Sequence, residues 1–303
     1  MNIPFLHTGN KVGIVAPARK VSTEDVQPAI ATLEGWGLQV VLGQHIFDQE
    51  HQFAGTDQAR AADLQKLIDD PDVRAIFCVR GGYGCARLLP HINFAALQRH
   101  PKWIVGYSDI TAFHLALAQM DIPSIHGTMP IHFTTEHRES VASLRQMLWG
   151  EWQGYRWDAQ PLNVNGTAQG ILRGGNLSLL YSLQATPYAL AAQDTILFIE
   201  DVDEYLYHID RMMLNLALSG VLRQLKGILV GGMTQMKDNT IPYGKTAYEI
   251  IAQHTQTLGI PVVFGFAAGH QKPNKALPLG TRVQLQADSD GKTCTVQIKS
   301  KSL

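Results

Sequence analysis

Trp103-Ile-Val-Gly-Tyr-Ser-Asp-Ile-Thr-Ala-Phe113 is the stretch on which the reading of this chain turns. Trp103 to Val105 is an apolar run of strand type, Gly106 permits a tight turn, and Asp109 to Ala118 has the character of a helix that begins at once. A serine on so sharp a strand-to-helix turn has its hydroxyl pushed out at the carboxyl end of a sheet, with the first helical amides aimed at the same spot. That is the geometry of a nucleophile elbow. The spacing departs from Gly-x-Ser-x-Gly, because Asp109-Ile110 replaces its second half. A helix start with Ser108 or Asp109 as N-cap fits the same residues.

Outward from this stretch, strands and helices alternate. Lys11–Pro17, Gln39–Leu42, Ala75–Val79 and Trp103–Val105 have the character of strands. Thr23–Trp36 and Asp57–Ile68 show helical periodicity, the second opened by Thr56 or Asp57 as cap. A short helix is expected at Cys85–Leu89. Such alternation predicts a parallel sheet with helices on both faces, whose sites form at the carboxyl ends of its strands. Arg80-Gly-Gly-Tyr-Gly84 and Gly106-Tyr-Ser108 both fall at such ends. The alternation fades from about Thr134 to Thr167, where Trp149, Trp152 and Trp157 suit core, a domain interface or a groove, with a helix near Ser140–Trp149. The second half then offers a strand, glycine turn and helix over Gly170–Leu180, and strands at Asp194–Glu200, Gly227–Gly232 and Pro261–Phe264. Helices are expected at Ile209–Leu218 and Lys245–Thr257, and a ribbon around Asp288-Ser-Asp-Gly291. We therefore expect an α/β protein of two domains, 1–150 and 168–303, with 151–167 between them.

Length and composition agree with this division. The 303 residues suffice for two cores, and 45% apolar with 17% charged residues is the balance of a soluble globular protein. A net charge of −1 provides no field to draw nucleic acid or an anionic membrane. Three cysteines, Cys78, Cys85 and Cys294, make an odd count without framework spacing, as in a reducing compartment. Met1–Asn10 has neither a basic segment nor a long apolar one, and no run approaches about 20 apolar residues. A soluble, cytoplasmic protein is expected.

A serine hydroxyl needs a base to take its proton and a third group to orient that base. Among 12 histidines, His270 stands out. It follows the strand at Val262–Phe264 through Gly265 and Gly269, a setting that puts a side chain at a loop tip, although a structural role suits it as well. His114, on the helix after the elbow, suits a satisfied core position. His7, His45, His51, His91, His100 and His254 have surface or loop settings. His126, His132 and His137 lie six and five residues apart, which matches no metal-ligand spacing, so no metal is expected. Glu200 caps an apolar strand and is the carboxylate of Glu200-Asp-Val-Asp-Glu204 held most rigidly, though the order alone does not choose among the four. The glycines of Arg80–Gly84 expose successive amides, which serve a phosphate, an oxyanion or only a tight turn.

Taken in order, Phe53-Ala-Gly-Thr56, Val79-Arg-Gly-Gly-Tyr-Gly84, Gly106-Tyr-Ser-Asp109, Gly174-Gly-Asn-Leu177, Phe198-Ile-Glu-Asp-Val202, Ile209-Asp-Arg-Met212, Gly269-His270 and Pro278-Leu-Gly280 resemble the LD-carboxypeptidases of serine peptidase family S66 over nearly the whole chain. The resemblance implies a class I glutamine amidotransferase-like N-terminal domain and a swivelling β/β/α C-terminal domain. It implies Ser108 as nucleophile, His270 as base, Glu200 as its orienter, and an oxyanion hole from amides near Gly82 and Asp109. It also implies removal of terminal D-Ala from the murein tetrapeptide L-Ala-γ-D-Glu-meso-diaminopimelate-D-Ala in the cytoplasm, by a homodimer, without cofactor. An exopeptidase needs a cation for the terminal carboxylate, and Arg80 is the candidate. Where such proteins often carry an arginine after the acidic cluster, this chain has Tyr207-His208. The related microcin-immunity branch, which cleaves peptidyl-nucleotides, is the alternative, and its members tend to be longer between serine and glutamate.

Overall fold

The computed structural model describes residues 3–135, 138–288 and 291–298. They divide into two compact units, 1–152 with 272–278, and 153–271 with 279–303. The first unit runs β1 (Lys11–Val15), α1 (Thr23–Gly35), β2 (Gln39–Leu42), α2 (Asp57–Asp69), β3 (Val73–Cys78), α3 (Cys85–Leu88), α4 (Ala96–Arg99), β4 (Trp103–Gly106), α5 (Thr111–Ala118), β5 (Ser124–His126) and α6 (Arg138–Leu148). Its sheet has the order Leu277–Leu279, β5, β4, β3, β1, β2. The pairs among β1 to β5 are parallel, with Ala75 beside Trp103 and Val105 beside Ile125.

Strands β1, β3 and β4 are apolar almost without interruption because both faces are covered. Val12, Ile14, Ile76, Phe77, Ile104 and Val105 are all fully buried. The helix starts are set locally. Ser22 and Asp25 form a capping box on α1, and Thr56 accepts from the Ala59 amide to cap α2. The end of α2 is held by the buried amine of Lys102, which donates to the carbonyls of Leu67, Ile68 and Asp70 at 2.9, 2.8 and 2.5 Å. Burial pushes that amine down to about 8.

The second unit contributes β6 (Tyr155–Asp158), β7 (Gly166–Asn176), α7 (Leu177–Ser182), β8 (Thr195–Val202), α8 (Leu206–Leu218), β9 (Gly227–Thr234), α9 (Ala247–Thr255) and β10 (Val262–Val263). After β11 (Leu277–Leu279), which belongs to the first sheet, come β12 (Arg282–Ala287) and β13 (Thr293–Ile298). The second sheet is mixed, in the order β10, β9, β8, β7, β12, β13, β6. Strands β7 to β10 pair in parallel, whereas β12 and β13 pair antiparallel with each other and with β7 and β6. The ribbon expected at the C-terminus is this β12–β13 pair; Ser289 and Asp290 of its connection lie outside the described residues.

Two features differ from the sequence reading. Gly174 and Gly175 do not form a turn. They lie inside β7 with φ of 130° and 142°, and at Gly174 the strand passes too close to the Phe198 backbone for a side chain. Tyr155–Asp158, within a stretch read as irregular, is a strand against β13. Of the tryptophans, Trp152 is buried; half-buried Trp149 packs edge-on against Trp36, and half-buried Trp157 packs on Phe266 while its indole N–H donates to Phe264 O at 3.1 Å.

Candidate active site

The first unit carries the elbow. Strand β4 ends at Gly106, Tyr107 is extended, and Ser108 has φ of +64° before a single 3-10 turn leads into α5. A non-glycine residue in the left-handed region costs about 1–3 kcal/mol and persists only where its surroundings over-determine it. His114 supplies part of that constraint. Its Nε2 lies 3.0 Å from Gly106 O and its Nδ1 2.8 Å from Ser124 Oγ. A carbonyl can only accept, so Nε2 carries the proton and Nδ1 accepts from the serine hydroxyl. Burial pushes this imidazole down to about 3, which keeps it neutral, as one donated and one accepted bond require. The sequence places His114 in the core but gives no sign that it braces the turn.

Against the elbow lies the glycine loop. A β-carbon on Gly81 would sit 3.3 Å from Ser108 Cβ and 3.4 Å from both Ser108 Oγ and the Asp109 backbone nitrogen. The loop is tied down through the side chain of Asp109, which is buried and accepts from the Cys85 amide at 2.8 Å. Burial raises the Asp109 carboxyl above its ordinary range, opposed by the hydrogen bonds from Cys85 and by the fields of Arg60 and Arg19. Gly82 is exposed, with φ of +110°. Arg80 is half-buried, and its Nη1 donates to Lys20 O at 3.4 Å.

The second unit carries a carboxylate and an imidazole. Glu200 is fully buried on β8, opposite Asn176 of β7. On the other side the ladder to β9 slips: Ile199 pairs with Val230 and Asp201 with Met233, so Gly231 and Gly232 together oppose Glu200. Such a bulge re-aims the side chain beside it. Glu200 Oε2 accepts from His270 Nδ1 at 2.7 Å and from the His270 amide at 3.3 Å. The imidazole therefore carries its proton on Nδ1 and presents an Nε2 lone pair. Thr234 Oγ1 fixes the same residue by donating to His270 O at 2.8 Å. The approach depends on Gly269, at φ of +97°, because a β-carbon there would lie 2.5 Å from Glu200 Oε2.

The rest of the acidic run is otherwise engaged. Asp201 accepts from Asn176 Nδ2, the Ser178 amide and the Ser178 hydroxyl at 2.8, 2.9 and 2.8 Å, and burial next to Glu200 pushes it up to about 6. Glu204 Oε2 pairs with His208 Nδ1 at 2.6 Å, and Asp203 pairs with Lys237 at 2.8 Å. In the Tyr207-His208 region, the guanidinium of Arg211 lies over the Tyr207 ring at 5.2 Å. His254, read as a surface or loop residue, is on α9, with Nε2 2.8 Å from Asp210. Cys78, Cys85 and Cys294 are free and buried. Among the described residues no group of three or more His, Cys, Asp or Glu side chains is gathered as a metal ion would require, and His137 lies outside them. No helix among them is long and apolar enough to cross a membrane.

A strained serine on a strand-to-helix turn and a carboxylate-held imidazole, together in one chain, are the parts of a serine peptidase. The family models agree: residues 12–127 match the N-terminal domain and 169–285 the C-terminal domain of LD-carboxypeptidases, peptidase family S66. The chain belongs to this family and is a serine-type carboxypeptidase with the two-domain α/β fold of its members. It is 36% identical over 92% of its length to a Bacillus subtilis protein named "Probable murein peptide carboxypeptidase", covering 90% of that protein. The crystal structure of muramoyltetrapeptide carboxypeptidase from Oxalobacter formigenes superposes with a TM-score of 0.87 at 29% identity, covering 96% of this chain and 99% of that one. The microcin C7 self immunity protein superposes with a TM-score of 0.85 over 99% of both chains. At 22% identity, that likeness shows the fold alone.

Proposed function

We propose that this protein removes the terminal D-Ala from murein tetrapeptide, L-Ala-γ-D-Glu-meso-diaminopimelate-D-Ala, through an acyl-enzyme on Ser108. The observation that carries the reading is the buried Glu200 carboxylate fixing the proton of His270 on Nδ1 at 2.7 Å, which leaves Nε2 as a base. In the reaction, His270 Nε2 takes the Ser108 proton as the hydroxyl attacks the carbonyl before D-Ala. Glu200 stabilises the imidazolium, and His270 returns the proton to the leaving amine. Water then attacks the acyl-enzyme by the same route. Backbone amides at Gly82 and Asp109 meet the oxyanion; losing one such donor typically costs about 2.7–4 kcal/mol. Arg80 supplies positive charge for the terminal carboxylate. No cofactor enters these steps. The murein names of the relatives support the substrate class. With it go a cytoplasmic place in peptidoglycan recycling, a homodimer, a glutamine amidotransferase-like first domain and a swivelling second one.

The test is incubation with the tetrapeptide, followed by mass spectrometry. Tripeptide and free D-Ala are expected with the wild type and neither with Ser108→Ala. Cleavage of a processed peptidyl-nucleotide, with the tetrapeptide left intact, would instead assign the chain to the immunity branch.

A further inference from the structure

We propose that Arg19 is a substrate-binding residue whose guanidinium receives the free carboxylate at the end of the peptide, and so makes this enzyme trim chain ends. The inference rests on the carboxypeptidase reading above and adds a residue to it.

The segment from Pro17 to Lys20 is rigidly placed. Arg60, itself buried, donates from Nη1 to Pro17 O at 2.6 Å. Ala54 N donates to Ala18 O at 3.1 Å, and Lys20 N to Gln52 O at 3.0 Å. Arg19 forms an antiparallel bridge with Phe53, and Arg80 reaches Lys20 O. The backbone of Arg19 is thus fixed, while its side chain is exposed. That side chain lies across Gly82: a β-carbon there would sit 2.6 Å from Arg19 Cδ and 2.7 Å from Nε. The loop needs glycine at 82 for the arginine to cross it. One residue back, Gly81 stands against Ser108 Oγ. A peptide cleaved before its last residue has its terminal carboxylate about one residue, roughly 3.8 Å of chain, from the scissile bond. Its counter-ion therefore belongs beside the nucleophile.

Charge bookkeeping adds Arg19 to Arg80 rather than replacing it. Arg60 and Arg87 both pair with Asp57, whereas Arg80, which adds positive charge for the same carboxylate, donates only to a backbone carbonyl. No acidic side chain pairs with Arg19 among the described residues. The field of Arg19 is felt at buried Asp109, which places its charge near the elbow. A planar guanidinium matches a carboxylate with two parallel hydrogen bonds, which a lysine cannot reproduce.

The test compares murein tetrapeptide with its C-terminally amidated analogue, using the full-length enzyme. For the free acid, Arg19→Met should raise KM at least tenfold with kcat changed less than threefold, and leave KM for the amide unchanged. Arg19→Lys should recover part of the loss. Binding measured in the Ser108→Ala background should repeat the pattern in Kd, and thermal unfolding should show both Arg19 variants folded. A ratio of acid to amide KM that stays within twofold of wild type in folded Arg19→Met would overturn the assignment. Absence of D-Ala release from wild type would instead overturn the function reading.

Discussion

The two units position Ser108 and the Glu200–His270 pair by opposite means. In the first, the backbone does the positioning: Ser108 is held at φ of +64°, a glycine turn presses against it, and polar side chains such as His114 and Asp109 act mainly as braces. In the second, one side chain positions another, as buried Glu200 orients His270 while the ladder slips to make room. A backbone device concentrates strain in one residue. A side-chain device depends on burial and on the proton's location. Substitutions should therefore fail differently in the two places.

The largest effect expected is at Ser108. Ser108→Ala should lower kcat by about 10⁶-fold, since a nucleophile acts as a unit with its base. A residual rate near wild type would remove the elbow from the mechanism. Glu200→Gln should lower kcat by about 10⁴-fold with the fold retained, because an amide no longer selects the Nδ1–H tautomer. A loss of tenfold or less would show that burial of His270, not its partner, sets the base. Gly269→Ala should cost about 10²-fold in kcat, because an added methyl at 2.5 Å must shift the carboxylate by an ångström or so. Steady-state kinetics on the tetrapeptide measures all three.

Two smaller effects concern stability. Ser108→Gly, although inactive, should be more stable than Ser108→Ala by about 1 kcal/mol in denaturant unfolding, because glycine accepts a positive φ without strain. Equal stabilities would mean that the elbow stores no strain. His114 is a neutral buried base whose folded pKa, about 3, lies below its unfolded value of about 6.5. The unfolded chain takes up a proton between these values, so the stability His114 contributes is present above about pH 6.5 and is lost as pH falls. The advantage of wild type over His114→Gln should therefore shrink between pH 6.5 and 5, by at most about 1.4 kcal/mol per pH unit. A constant gap would mean that the imidazole is not held neutral.

Much of this was legible in the sequence, since it rests on periodicity and punctuation. The strands through Trp103 and the helices capped at Ser22 and Thr56 follow from local rules, and the apolar runs announce a parallel sheet. Glu200 and His270 could be nominated by their places at strand ends. Their pairing, seventy residues apart, could not be derived from spacing, and four carboxylates competed for it. Gly174 and Gly175 misled because a glycine pair suggests a turn, whereas here the pair lies within a strand and Gly174 lets it pass close to another backbone. Arg19 was invisible because its significance lies in crossing Gly82, a contact made in space. A basic residue followed by a second one beside Pro17 was the only available hint.

The return of Leu277–Leu279 to the first sheet has a consequence for how the protein is made. The edge of β5 is closed by a segment translated some 150 residues after that strand. A nascent chain that has emerged only as far as Trp152 already contains the whole elbow but leaves Ser124–His126 as an open border. An enzyme truncated before Lys272 should keep that border exposed and be prone to sticking to other strands. Completion of the sheet that carries Ser108 is thus deferred until Leu277–Leu279 has been made.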